Sequence, residues 1–236
     1  MQNLLAPLIL DEESTVQSLV YEALSELLVS GQLQPGEEVS LRHAAAALGV
    51  SVTPVREALR QLEREGALVP AGKNRAFQVP SLPAAYVSEI CVIRIQLEGM
   101  AAENAANLVT HAQLRVIENA MKLTENAIAG HDLGDFLKHN WRFHSLIYQA
   151  AGMPVLMRLI EGLWLRIGPG VRFALDQHLL SGQSVRCHRA AYEALKARDG
   201  AGARAAISED IRSAAENLLA LRASEPKAWP GNAFRA

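Results

Sequence analysis

The segment from Leu41 to Glu65, LRHAAAALGVSVTPVREALRQLERE, restricts the fold more strongly than any other part of the chain. Gly49 separates two short stretches of helical character, and a glycine can adopt the positive φ that a tight turn between helices requires. Ser51 or Thr53 can cap the second stretch, and Pro54 suits its first turn because the missing N–H would have no partner there. The pattern predicts a helix-turn-helix.

The second predicted helix has an apolar face and a basic face. Its apolar residues recur at helical spacing: Val55, Ala58, Leu59 and Leu62. A hydroxyl and three arginines share the other side, three or four residues apart: Thr53, Arg56, Arg60 and Arg64. Such a face fits docking in the major groove of DNA, although the arginines alone predict a solvated basic surface equally well.

A predicted hairpin after Gly66 favours the DNA-binding interpretation. Two short strands, at residues 68–69 and 77–79, can flank the basic turn GKNR at residues 72–75. This arrangement is typical of the wing of a winged helix, whose tip contacts the phosphate backbone. The charge distribution agrees, because residues 41–79 contain six basic and three acidic residues although the net charge of the chain is −2.

Three motifs of this region also carry a family resemblance: Gly31-x-Leu33-x-Pro35-Gly36, LGVSVTPVREAL at residues 48–59 and Leu62-Glu63-x-Glu65-Gly66. Together they resemble the GntR family of bacterial repressors over roughly residues 14–80. The resemblance implies DNA contacts from six residues, of which the last two lie in the wing: Arg42, Ser51, Thr53, Arg56, Asn74 and Arg75.

Two positions depart from that family. Val52 stands where the family commonly has an arginine that reads a base, and Ala76 replaces the usual glycine of the wing. An apolar side chain cannot donate a hydrogen bond to a guanine edge, but it can contact a thymine methyl group. The operator sequence is therefore the property that transfers least. Because each chain supplies one recognition helix, we expect a homodimer bound to a palindromic operator in double-stranded DNA.

The stretch VPSLP at residues 79–83 predicts a domain boundary, because it contains two prolines and shows no periodicity. Beyond it the chain reads as six helices with short connections, which favours an antiparallel bundle. Gly168-Pro169-Gly170 is expected to break or kink the fourth of these helices. We predict a mainly α protein with these parts: a winged helix-turn-helix at residues 1–80, a linker at residues 81–83, an effector-binding and dimerisation bundle at residues 84–222 and an irregular tail at residues 223–236.

Four polar residues of the predicted bundle form a candidate ion site: Asn140, His144, His188 and Asp210. The first two are four residues apart and face the same way on one helix, while the others lie on two later helices. Polar groups from three helices can form a site in a bundle core, and two imidazoles with an oxygen donor suit zinc, nickel or a related divalent ion. A lone histidine in an amphipathic helix is more often a packed or surface residue, so spacing alone leaves both interpretations open.

Further motifs carry a second resemblance: Arg94-x-x-Leu97-Glu98, Phe143-His144, His188-Arg189-Ala190 and ALKARD at residues 194–199. They resemble the all-helical FCD effector domain of FadR-type regulators. The resemblance implies metal ligands at Asn140, His144, His188 and Asp210. Asn140 stands where the metal-binding branch has an aspartate, and Asp210 stands where it has a histidine. The set therefore keeps one carboxylate but loses one nitrogen, which favours harder ions.

The second resemblance also implies an effector. The carboxylate of a small organic acid would complete the coordination of the metal, and Arg94 could hold that anion in a bidentate manner. An ion pair with Glu98, four residues further on, is an equally good role for Arg94. We therefore expect a ligand-responsive transcriptional regulator, a repressor that a small carboxylate releases or modulates, rather than an enzyme.

Two other classes of protein are the alternatives. A metal-dependent enzyme fused to a DNA-binding domain would need a general base, and no convincing one adjoins His144 or His188. An architectural DNA binder would not need polar groups inside the second domain. Cys91 and Cys187 form no disulfide framework, the start MQNLLAPLIL lacks the basic residues of a signal peptide, and no apolar run approaches membrane length. We expect a cytoplasmic protein.

Overall fold

The computed structural model describes residues 5–8, 14–71, 76–178 and 182–224. Their elements in chain order are α1 (Val16–Val29), β1 (Glu38–Val39), α2 (Leu41–Leu48), α3 (Val52–Arg64), β2 (Val69–Ala71), β3 (Ala76–Gln78), α4 (Ala84–Leu108), α5 (His111–Ala129), α6 (Leu133–Ala150), α7 (Pro154–His178), α8 (Gln183–Lys196) and α9 (Gly200–Ser224). The predicted mainly α class is confirmed. Within these ranges, no helix has both the length and the apolar character needed to cross a lipid bilayer.

The chain divides into two compact units. The first comprises the described residues up to Pro83 together with Trp164–Gly170. The second comprises Ala84–Leu163 together with the described residues from Val171 onward. The helix α7 contributes residues to both units.

One face of α3 forms much of the core of the first unit. Its buried residues are those that the helical spacing predicted: Val55, Ala58, Leu59 and Leu62. This face packs against α1 and α2. At the far end of α3, the hydroxyl of Tyr21 in α1 donates a hydrogen bond to Glu65 over 2.7 Å. The packing leaves the opposite side of α3 open to solvent, as a DNA-reading helix requires.

The turn between α2 and α3 depends on Gly49. Its φ of 70° and ψ of 28° are left-handed, and its N–H donates to the carbonyl of Ala45 to close α2. Residues with a Cβ adopt this conformation at a cost, so a glycine is favoured. Ser51 occupies the N-cap position of α3 but makes no side-chain capping bond, and Thr53 already lies inside the helix. Of the two predicted caps, only Ser51 therefore stands at the start of the helix.

The wing contains a three-stranded antiparallel sheet in the order β1-β3-β2, where two strands were expected. Phe77 of β3 pairs with Val39 of β1 on one side and with Pro70 of β2 on the other. The sequence did not indicate β1, because two residues are too few to show an alternating pattern. The predicted DNA contacts Asn74 and Arg75 lie outside the described residues.

The second unit is built from helices that pack in pairs. α4 lies along α9, α5 against α6, and α8 against α9. Thr110 caps α5 through a reciprocal capping box with Gln113, and the side chain of Asp132 caps α6. These caps set where α5 and α6 begin. α9 continues to Ser224, two residues beyond the predicted end of the bundle at residue 222.

Of the break or kink expected in α7, the break does not occur, and the kink stays a prediction. The helix runs from Pro154 to His178 with Pro169 inside it. An internal proline removes one backbone hydrogen bond and crowds the preceding turn. A helix of 25 residues keeps the bonds on both sides of such a defect, so it can continue where a short helix would end.

Candidate metal site and DNA-binding surface

The solvent-facing side of α2 and α3 carries the described residues for which the sequence predicts DNA contact. Arg42 is exposed in the first turn of α2. Ser51 and Thr53 are exposed at the start of α3, and Arg56 is partly exposed one turn later. Hydroxyl groups at the N-terminus of a helix suit a phosphate, and a guanidinium can reach either a phosphate or a guanine edge. All four side chains are at least partly exposed, and their contact with DNA stays a prediction.

Arg60 extends this basic face of α3. It lies 3.6 Å from Glu57, and the two side chains are 56% and 44% exposed. Because solvent screens such a pair, Arg60 can exchange Glu57 for a phosphate at little cost. Val52 is the first residue of α3 and is partly exposed. The face therefore begins with an apolar contact and continues with guanidinium groups.

In the second unit, three ligand-type side chains from three helices converge. His144 comes from α6, His188 from α8 and Asp210 from α9, and all three are buried. His144 Nε2 lies 3.1 Å from Asp210 Oδ2 and 3.3 Å from His188 Nε2. His188 Nε2 lies 3.7 Å from Asp210 Oδ2. The structure thus brings three of the four predicted metal ligands together.

The spacing of these atoms fits a transition metal. A four-coordinate ion with bonds of about 2.0–2.1 Å holds its ligand atoms roughly 3.3–3.4 Å apart. The separations of 3.1, 3.3 and 3.7 Å lie around this value. Two imidazole nitrogens and a carboxylate oxygen are also the ligand types that zinc and nickel accept. His144, His188 and Asp210 therefore fit a bound divalent ion, whose Lewis acidity would attract a further anionic ligand.

The electrostatics of the cluster favour the ionisation states that metal binding needs. Burial lowers the pKa of His188, which favours the neutral imidazole. Burial opposes ionisation of Asp210, but attraction to His188 and hydrogen bonds with both imidazoles outweigh it and hold the pKa of Asp210 well below its ordinary value. Metal binding requires neutral imidazoles and ionised carboxylates.

Asn140 lies one turn before His144 on α6 and is 7% exposed. Its position places it on the same side of the helix as the cluster. A carboxamide offers a neutral carbonyl oxygen, which binds a cation less strongly than a carboxylate does. Its role as a peripheral ligand stays a prediction.

A buried hydrogen-bond network connects α4 to His144. Arg94 Nε donates to Glu98 Oε1 over 2.5 Å, and a second guanidinium nitrogen lies 3.3 Å from Glu98 Oε2. The Tyr148 hydroxyl donates to Glu98 Oε2 over 2.5 Å and lies 2.9 Å from His144 Nδ1. Burial and the neighbouring Glu98 raise the pKa of Tyr148 well above its ordinary value, so its hydroxyl keeps the proton. The ion pair expected as one role of Arg94 is present.

Sequence reasoning did not assign a role to Tyr148. The available signal was its position four residues after His144, which places both side chains on one face of α6. The contact between Tyr148 and Glu98 joins residues 50 positions apart, so no local pattern indicates it. Phe143, next to His144, stacks on the His188 ring with centroids 4.3 Å apart. It helps to fix the orientation of that imidazole.

A winged helix in one unit and a helical second unit with a buried polar site define a two-domain DNA-binding regulator. Comparison with known proteins agrees with this class. A family model described as "Bacterial regulatory proteins, gntR family" matches residues 17–77, and one described as "FCD domain" matches residues 89–213. The chain belongs to the GntR family of transcriptional regulators, in the FadR-type group whose second domain is an FCD domain.

The relatives are regulators of the same architecture. The HTH-type transcriptional regulator McbR of Escherichia coli is 34% identical over 190 residues, which cover 79% of this chain and 85% of McbR. The solved structure of E. coli McbR/YncC superimposes with a TM-score of 0.80 at 30% identity, covering 89% of this chain and 99% of that one. The E. coli transcriptional repressor RspR is 27% identical over 90% of this chain and 93% of its own length. These relationships do not support the enzyme alternative.

Proposed function

We propose that this regulator holds a divalent metal ion at His144, His188 and Asp210 and that a small organic acid bound at the ion controls its affinity for DNA. The observation that carries the proposal is the convergence of these three buried side chains from α6, α8 and α9. Zinc and nickel are the ions that suit two imidazoles and one carboxylate best. Three protein ligands leave at least one coordination position for an exogenous ligand.

An anionic oxygen ligand is the chemistry that such a position favours. A small carboxylate would bind the ion directly, and its remaining polar groups would meet the residues around the site. Arg94 has its Nε directed at Glu98. It would therefore hold the effector only through N–H groups that do not face Glu98. The role of Asn140 would be to bind the ion weakly or to donate its amide N–H to the acid.

We further propose that the protein is a repressor that binds a palindromic operator as a homodimer in the bacterial cytoplasm. The name of RspR, a transcriptional repressor, supports the sign of regulation. The effector would act by binding two states of the dimer with different affinities, which couples the acid site to the DNA site. DNA contact is assigned to Arg42, Ser51, Thr53 and Arg56, with Asn74 and Arg75 in the wing.

Elemental analysis of protein purified without chelators tests the metal site. We expect about one equivalent of a divalent ion per chain in the wild type. His144→Ala should abolish it, and Asp210→Ala should reduce it strongly because the only ligand charge is lost. Asn140→Asp should tighten binding, because it adds a second carboxylate.

The matched control is His111→Ala, since His111 is exposed at the start of α5. This variant should carry as much metal as the wild type. A wild-type protein that contains no metal, and whose melting temperature no added divalent ion raises, would refute the metal site. The acid would then have to be held by hydrogen bonds and Arg94 alone.

The proposed effector is tested by calorimetric titration of small carboxylic acids into metal-loaded and chelator-treated protein. Heat of binding that requires the metal supports the proposal. The same acid should weaken operator binding in a gel-shift titration, and the acid should be recovered chemically unchanged. Conversion of the acid into a product would instead revive an enzymatic role.

A further inference from the structure

We infer that Glu98 and Tyr148 fix a proton on His144 Nδ1, so that Nε2 is the ring nitrogen left to bind the ion. The inference deepens the proposed function and rests on it, because it assigns positioning residues to one of the proposed ligands. The inference rests on which group donates each hydrogen bond in the buried network that joins α4 to α6.

Arg94 sets which group donates in each of these hydrogen bonds. A guanidinium can only donate hydrogen bonds, and both contacts of Arg94 with Glu98 are therefore donated by Arg94. Arg94 is 5% exposed and Glu98 is fully buried, at 0%. A buried guanidinium without a counter-charge is strongly destabilising, so Glu98 is the carboxylate that balances it. Both Glu98 oxygens are then acceptors.

The hydrogen bond from Tyr148 to Glu98 determines how Tyr148 can bond to His144. Its hydroxyl has one proton, and the 2.5 Å contact with Glu98 Oε2 uses it. The Tyr148 oxygen can therefore only accept in its 2.9 Å contact with His144 Nδ1. A proton must then reside on Nδ1, because two acceptors at that distance would repel each other. The neutral imidazole with a proton on Nδ1 has its lone pair on Nε2.

The opposite hydrogen-bond direction, from Tyr148 to His144 Nδ1, would leave a buried charge without a counter-charge. If Tyr148 donated to His144 Nδ1, its oxygen would need a proton from Glu98. Glu98 would then be neutral beside the buried guanidinium of Arg94. The observed ion pair excludes this state, since it would leave one buried charge without compensation.

The result is a preorganised ligand atom. His144 Nε2 points at Asp210 Oδ2 over 3.1 Å and at His188 Nε2 over 3.3 Å. Hydrogen bonds from the second ring nitrogen of a metal-binding histidine fix its tautomer and raise its basicity. Without a metal, a proton on Nε2 can bridge to the Asp210 carboxylate, and a divalent cation between the two atoms would replace that proton.

His188 has much weaker support in the described part of the chain. Its Nδ1 is buried without a hydrogen-bond partner there, and its Nε2 lies 3.3 Å from the Ser184 hydroxyl. The two histidines are therefore not equivalent. His144 is held by a charged network, whereas His188 is held mainly by packing against Phe143.

Nuclear magnetic resonance of the metal-free full-length protein labelled with 15N-histidine tests the inference. Long-range proton–nitrogen correlations distinguish a protonated from an unprotonated ring nitrogen, and His144→Gln identifies the His144 signals. We expect a protonated Nδ1 in the wild type, whether or not Nε2 shares a proton with Asp210. Tyr148→Phe removes the acceptor for Nδ1–H, so Nδ1 should be protonated in only part of the population. Zinc affinity, measured by competition with a chelating dye, should fall about 10–100-fold.

Tyr192→Phe is the matched control, because Tyr192 is buried on α8 and its hydroxyl lies near Glu118 rather than His144. It should leave both the His144 tautomer and zinc affinity unchanged. A wild-type His144 whose Nδ1 is unprotonated, wholly or in part, would overturn the inference even if Tyr148→Phe does not fold. Unchanged tautomer and zinc affinity in Tyr148→Phe would overturn it and leave the metal site standing. A wild type that binds no zinc but shows the expected tautomer, altered in Tyr148→Phe, would refute only the metal proposal.

Discussion

Val52 and Arg56 lie one turn apart on the same side of α3 and offer a base pair different contacts. The Arg56 guanidinium presents several donors in a fixed plane, which match the two acceptors of a guanine edge. The Val52 side chain has no donor and can only pack against an apolar group such as a thymine methyl. At the scale of single residues, specificity should therefore come from Arg56 and its hydroxyl neighbours Ser51 and Thr53, with a weaker contribution near Val52.

The first residue-scale prediction concerns Arg56. Arg56→Ala should weaken operator binding by about 1–3 kcal/mol if the guanidinium reads a base. The measurement is a gel-shift titration at fixed salt concentration. Arg115→Ala is the control, because it removes the same charge from an exposed position on α5 of the second unit. Equal affinities for wild type and Arg56→Ala would remove Arg56 from the interface.

At the scale of elements, the helix-turn-helix depends on the conformation of its turn. Gly49 has a φ of 70°, and a Cβ added there would meet no atom nearer than 3.9 Å. Space is therefore available, and the cost of a side chain is conformational rather than steric. Gly162 offers the opposite case, because it lies inside α7 and a Cβ there would meet nothing within 4 Å. A helical glycine in open space costs conformational entropy without any benefit from a positive φ.

We predict opposite effects of the same substitution at these two sites. Gly49→Ala should destabilise the protein by about 1–2 kcal/mol, whereas Gly162→Ala should stabilise it by about 0.5–1 kcal/mol. Gly49→Asn should cost less than Gly49→Ala, because asparagine tolerates left-handed backbone better. Urea unfolding followed by circular dichroism measures all three. A Gly49→Ala protein as stable as the wild type would show that the turn adopts another conformation in solution.

At the scale of the whole molecule, one recognition helix per chain predicts a dimer on DNA. Two copies related by a two-fold axis would place their α3 helices in successive major grooves, with half-sites about 10 base pairs or a multiple of that apart. Sedimentation equilibrium of the free protein and of its operator complex measures the stoichiometry, and footprinting measures the spacing. A single chain bound to an asymmetric site would contradict this prediction.

Much of the first unit could be predicted from local sequence. The apolar stripe of α3, the left-handed turn at Gly49 and the presence of a wing all follow from patterns within a few residues. The patterns failed where they were too short or too local. β1 has two residues, and the break expected at Pro169 ignored the stability of a long helix on both sides of the proline.

The sequence by itself determined which residues are helical, which face of each helix is apolar and which polar residues interrupt those faces, because periodicity depends on neighbours three and four positions away. Only the tertiary structure decided which of these polar side chains come into contact. His144 and His188 are 44 residues apart and their Nε2 atoms lie 3.3 Å apart, while Glu98 reaches Tyr148 across 50 residues. Such contacts depend on how α4, α6, α8 and α9 pack together, and side-chain packing over long range leaves no period in the chain.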